Sequence, residues 1–147
     1  MLFTQGTIKT FDSIMGSIFY DWGYSQKPYL HKEEDNYFSI NKTSIFQEEG
    51  VYYFSYKEEA FEVEPKVFAK LDLFYQSYKD NEEFQTVLDY ICDQWFNHKL
   101  EKTDEGFKIG NVSISYQGNL FLVKQNDSFE ISEKTFKAVE KFYRLFG

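Results

Sequence analysis

Residues 50–78 read GVYYFSYKEEAFEVEPKVFAKLDLFYQSY, and residues 118–146 read GNLFLVKQNDSFEISEKTFKAVEKFYRLF. Laid on one another without a gap, they pair Phe61 with Phe129, Glu62 with Glu130 and Val63 with Ile131. The match continues through Lys66/Lys134, Phe68/Phe136, Leu71/Val139, Asp72/Glu140, Phe74/Phe142 and Tyr75/Tyr143, and Gly50 falls on Gly118. The repeated pattern is an aromatic strand, a short extended segment and an amphipathic helix. It is the signature of one β-hairpin–strand–helix unit used twice.

The helical half is the clearest. Phe68, Leu71, Phe74, Tyr75 and Tyr78 recur at helical spacing, as do Phe136, Val139, Phe142, Tyr143 and Phe146. Pro65 suits the first helical position, where its missing N–H costs nothing. At the matching boundary Ser132 is a good N-cap. The strand half begins with VYYFSYK, rich in β-preferring aromatics but poorly alternating. Either both faces of that strand are covered, or one presents tyrosine to a partner.

Working outward, NYFSI (36–40), TSIFQ (43–47) and AFEV (60–63) read as strands, with Glu48-Glu49-Gly50 as a turn. Downstream, FKI, NVSISY and NLFLVK are strands, with Gln117-Gly118-Asn119 as the second hairpin turn. Between the copies a further helix starts at Asp80 or Asn81. Its stripe is Phe84, Leu88, Ile91 and Trp95, flanked by Val87 and Cys92; Glu82, Asp89 and Asp93 lie opposite. It frays near residues 99–102, and Thr103–Gly106 reads as a turn. Residues 1–40 have no echo. There LFTQGTIKTF reads as a strand, Asp12 or Ser13 as the cap of a helix that Gly23 ends, and 27–35 as a polar loop.

The expected class is α+β: an antiparallel sheet with helices packed on one face, built from the duplicated unit plus a linking helix. Over 147 residues this makes a single domain. Its parts are an N-terminal segment (1–41), repeat unit 1 (42–79), the linking helix (80–103) and repeat unit 2 (106–146).

Charge is uneven. Of a formal net charge of −8, the central block 48–105 holds fifteen acids against six bases. Such a block repels nucleic acid and attracts basic partners. Cys92 is the lone cysteine, so no internal disulfide forms, and on its apolar stripe it reads as a buried, inert thiol. No phosphate-binding loop, nucleophile elbow or zinc-ligand spacing occurs, so no catalytic, cofactor or metal residues are assigned. The start of the chain lacks a leader pattern and no stretch is long enough to span a membrane, so cytosol is the expected compartment. Three alanines against many Lys, Asn, Phe, Tyr and Ile suggest an AT-rich gene, bacterial or phage.

The acidic surface is the remaining functional signal. On the linking helix Glu82 and Asp89 lie ~10 Å apart and Asp89 and Asp93 ~6 Å, from the helical rise. The expected partner-binding set is Glu48, Glu49, Tyr52, Tyr56, Glu58, Glu59, Glu62, Glu82, Asp89, Tyr90 and Asp93. Acids here imitate a phosphate backbone, and the tyrosines supply contact area.

In size, charge and composition the chain resembles small acidic inhibitors: phage anti-defence proteins such as anti-CRISPRs, and immunity proteins that neutralise toxins. The resemblance implies a non-enzymatic protein, monomer or homodimer, that blocks a basic nucleic-acid-handling enzyme or a toxin without binding nucleic acid itself. Two alternatives stand beside it. One is a small hydrolase or ligand-binding domain with a pocket between the repeats. The other is a phage structural or assembly protein.

Overall fold

The computed structural model describes residues 10–24 and 30–146. In chain order the elements are α1 (Phe11–Tyr24), β1 (His31–Glu34), β2 (Tyr37–Ile40), β3 (Thr43–Glu48), β4 (Val51–Tyr56), β5 (Glu59–Val63) and α2 (Pro65–Tyr78). Then follow α3 (Glu82–Gln94), β6 (Glu101–Thr103), β7 (Gly106–Ile109), β8 (Val112–Gln117), β9 (Leu120–Lys124), β10 (Ser128–Ile131) and α4 (Glu133–Arg144). The fold is α+β with antiparallel sheets. The strands form two five-stranded meanders, β1–β5 and β6–β10, rather than the one sheet expected. The chain divides into two compact units, Met1–Gln76 and Ser77–Gly147.

Both units follow one plan: helix, five-strand meander, helix. The likeness therefore reaches beyond residues 42–79. The described elements before residue 41 do have a counterpart in architecture, because α1, β1 and β2 stand in the first unit where α3, β6 and β7 stand in the second. The helix read as a link is the opening helix of the second unit. Backbone detail agrees: Gln47 N–H donates to the Asn36 carbonyl at 3.0 Å, and Tyr116 N–H to the Glu105 carbonyl at 2.8 Å. Both bonds join the β1–β2 or β6–β7 turn to the third strand.

The gapless pairing is one residue out of register through the hairpin. The β3–β4 loop is Glu49-Gly50, between the paired residues Glu48 and Val51; the β8–β9 loop is Gly118-Asn119, between Gln117 and Leu120. Gly50 is thus the second loop residue and Gly118 the first. With φ of 52° at Glu49 and 80° at Gly50 the first loop is I′-like. Gly118, at φ 65°, takes the position where a II′ turn requires glycine. The register is recovered after β9. Ser55 faces Ala60 across four intervening residues, whereas Lys124 faces Ser128 across three.

In each unit the core lies between one sheet face and two helices. The row Phe38–Ile45–Phe54–Phe61 crosses β2 to β5, and Phe107–Ile114–Val123–Phe129 crosses β7 to β10. Onto these rows the closing helix sets matched aromatics. Phe38 meets Phe68 at 5.3 Å and Tyr75 at 5.6 Å; Phe107 meets Phe136 at 5.9 Å and Tyr143 at 5.2 Å. Tyr52–Phe68 and Phe121–Phe136 are both 4.7 Å apart. The opening helices pack on the closing ones through Phe19 and Trp22 against Phe74, and through Trp95 against Phe142.

The helix signals are mostly where the sequence puts them. Asn81 caps α3 by accepting from Phe84 N–H at 3.0 Å, and Ser132 caps α4 by accepting from Thr135 N–H at 3.2 Å. At α1 the capping side chain is neither Asp12 nor Ser13 but Thr10, whose hydroxyl accepts from Ser13 N–H at 3.2 Å. The expected polar loop contains strand β1, and the expected fraying and turn at 99–106 contain strand β6 and the start of β7. The strand expected at LFTQGTIKTF falls largely outside the described residues.

Candidate interaction surfaces

The structure separates the expected partner-binding residues. Glu48, Glu49, Tyr52, Tyr56, Glu58, Glu59 and Glu62 belong to the first unit, and Glu82, Asp89, Tyr90 and Asp93 to the second. Within β4, side chains alternate between faces. Tyr52 and Tyr56 share the helix-covered face with Phe54, and Tyr52 is occupied against Phe68. Glu59, paired with Tyr56, is on that face too, at its margin. Glu49 and Glu58 sit exposed in two-residue turns. Glu48 and Glu62 lie on the opposite face of the sheet. On α3, Glu82, Asp89 and Asp93 are exposed, whereas Tyr90 packs on Phe129 of β10 at 5.5 Å.

That opposite face carries a feature absent from the sequence reading. Glu34, Tyr37, Phe46, Tyr53 and Glu62 are successive cross-strand partners, one from each strand of the sheet. Tyr37 stacks on Phe46 at 5.5 Å, and Phe46 meets Tyr53 at 5.7 Å. The three rings are half-buried and the two acids at the ends exposed. Both described helices of the unit pack on the other face. The matching row of the second unit is Thr103–Gly106–Ser115–Leu122–Glu130, with no aromatic residue. The signal was there in the poor alternation of VYYFSYK: the off-pattern ring is Tyr53, and register shows which neighbours it meets.

The second unit has a feature of its own, an open groove of about 740 Å³. Its aromatic wall is Phe107, Tyr116, Phe121 and Phe136. Lys102 contributes one positive charge; Asp104 and Glu105 from the β6–β7 turn and Glu133 and Glu140 from α4 contribute four negative ones. All lining residues belong to the second unit. Glu133 and Glu140 hold exposed intrahelical pairs with Lys137 (3.5 Å) and Arg144 (3.6 Å). Pairs of this kind contribute only a few tenths of a kcal/mol, roughly 0.3–0.5.

Buried polar groups serve the cores. Asp21 and Thr43 are both buried, and the Thr43 hydroxyl donates to Asp21 Oδ2 at 2.7 Å. Burial, reinforced by Asp89 and Asp93, pushes the Cys92 thiol from 9.0 up to about 12, which keeps it protonated and unreactive near neutrality. Among the described residues no cluster of three or more His, Cys, Asp or Glu is arranged to hold a metal ion, and no helix is long and apolar enough to cross a membrane. In comparisons with known proteins, no family model, curated protein or solved structure matches the chain.

Proposed function

We propose that this chain is a non-enzymatic protein-binding inhibitor, acting in the cytoplasm and of phage or mobile-element origin. It engages a basic partner, either a nucleic-acid-handling enzyme or a toxin. The observation that carries this reading is the Glu34–Tyr37–Phe46–Tyr53–Glu62 row on a sheet face without a described helix. Aromatic residues enriched at protein interfaces sit at its centre, and acids at its rim fit a basic surface. The net charge of −8 adds long-range attraction to such a partner. Of the residues expected from sequence, Glu48 and Glu62 belong to this face.

The test is photo-crosslinking from p-benzoylphenylalanine placed at Phe46, with exposed Leu73 on α2 as the control position. A basic protein should be captured from Phe46 and not from Leu73. Capture should fall between about 0.1 M and about 1 M salt, as the screening length drops from ~10 Å to ~3 Å. Equal capture from both positions, or capture indifferent to salt, refutes the reading.

A ligand-binding domain is the second reading, favoured by the aromatic groove of the second unit, whose volume suits a small ligand or a few residues of peptide.

A further inference from the structure

The first unit already contains a cation at the place that is open in the second. Lys32 is the β1 partner of Phe38, its ammonium lies 5.7 Å from the Phe38 ring centre, and it pairs with Asp72 at 3.3 Å. Asp72 stands one helical turn beyond Phe68, the ring that packs on Phe38. A lysine thus caps the aromatic wall and is held there by a helix carboxylate.

The second unit has the same parts, differently engaged. Lys102 is the β6 partner of Phe107. Glu140 stands one turn beyond Phe136, the ring that packs on Phe107. But Glu140 pairs with Arg144 at 3.6 Å, and the residue one turn beyond Asp72 in the first unit is the uncharged Gln76. The chain's only arginine therefore takes the carboxylate that would have recruited the lysine. Among the described residues Lys102 forms no ion pair and caps no ring, and the groove stands open beside Phe107.

We infer that this groove receives an extended segment of a basic protein, with a lysine or arginine side chain seated over Phe107 and paired with Glu140 as Lys32 is with Phe38 and Asp72. Charge complementarity favours this occupant: four carboxylates face one ammonium around an aromatic wall, where a cation gains from ring and acid together. Spacing refines it. Glu133 and Glu140 are seven residues apart on one face of α4, ~10 Å along the axis. In a polyproline-II segment, which turns once every three residues, residues three apart lie on the same side of the chain and span about 9 Å. The preferred segment therefore carries basic residues at i and i+3. The exposed pairs with Lys137 and Arg144 are weak enough to yield to it. Lys102 opposes entry by like-charge repulsion. The inference rests on the reading of a basic partner, but it concerns a different unit from the sheet face proposed above.

The experiment is fluorescence anisotropy on the full chain with a labelled Gly-Lys-Ser-Thr-Arg-Gly peptide, and with a control in which glutamine replaces lysine and arginine. The basic peptide should bind and the control should not. Glu133→Gln with Glu140→Gln should weaken binding about tenfold, and Lys102→Gln should strengthen it by roughly threefold. All three positions are at the surface, and an unchanged unfolding midpoint confirms that the variants are folded. Equal binding of both peptides, indifference to the glutamate substitutions, or weakening by Lys102→Gln each overturns the inference. Loss of peptide binding with Phe46 crosslinking intact defeats the groove alone. Peptide binding without Phe46 crosslinking defeats the sheet-face reading alone.

Discussion

Glu83 and Ser132 are joined by two hydrogen bonds to one carboxylate oxygen, from the Ser132 N–H at 2.8 Å and from its hydroxyl at 2.9 Å. The contact ties the first turn of α3 to the cap of α4 across forty-nine residues of chain. Partial burial would raise the Glu83 pKa, but hydrogen bonds from Thr135, the Ser132 backbone and the Ser132 hydroxyl outweigh it and hold the carboxyl below its ordinary value of 4.5.

Replacing Glu83 with Gln should therefore lower stability by about 1 kcal/mol at neutral pH, the loss of charge-assisted bonds at a partly exposed site. The sign with pH follows from the lowered pKa. The carboxylate's contribution is fully present above 4.5 and is lost as pH falls through the folded-state value. Urea unfolding at pH 7 and at pH 3 should show a clear gap between wild type and Glu83→Gln at the first pH and a smaller one at the second.

Thr43→Val should cost about 1–3 kcal/mol, because it strips a bond from a buried carboxylate without removing the carboxylate. Urea titration with an unchanged m-value is the check. Val112 occupies the corresponding third-strand position of the second unit, buried with no partner to satisfy.

Cys92 should react with a thiol reagent at pH 8 only as fast as the chain unfolds, and at the free-thiol rate in denaturant. With its pKa raised from 9.0 to about 12, it also makes the fold lose stability as pH rises above about 9, where the unfolded thiol ionises and the folded one does not. Comparing wild type with Cys92→Ala between pH 8 and pH 10 isolates that loss.

The two faces of the first sheet should respond differently to truncation. Phe38→Ala removes a fully buried ring and should cost about 3–5 kcal/mol. Phe46→Ser, on the face without a described helix, should cost about 1 kcal/mol, since its ring is only half-buried, and should instead abolish partner capture from p-benzoylphenylalanine placed at the neighbouring Tyr37. Thermal unfolding separates the two.

Elements with strong local signals were legible in the sequence. Pro65, Asn81 and Ser132 mark helix starts, and the stripes of α2, α3 and α4 are regular enough to identify their buried sides. What failed was what local pattern does not encode. β1 and β6 are short, polar strands whose hydrogen bonds, not their residues, make them strands. The glycine match at Gly50 and Gly118 misled because each turn needs its glycine at a different position, and a one-residue difference in the next turn restores register. The aromatic row depends on which residue of each strand faces which. The groove is lined jointly by α4, the β6–β7 turn and residues of β6 to β9, a juxtaposition that only the folded chain shows.

Two units with one plan and interchangeable ring contacts invite a specific misassembly, in which α2 docks on the second sheet or α4 on the first while the chain folds. The Glu83–Ser132 contact discriminates against it. The residue before α2 that corresponds to Ser132 is Glu64, each following the last strand of its meander directly. A wrongly docked α2 would set Glu64 against Glu83, two carboxylates where the native partner offers two donors. Such a charge clash would penalise the misdocked form, and Ser132→Glu, which erases the distinction, should refold with a larger slow or misassembled fraction.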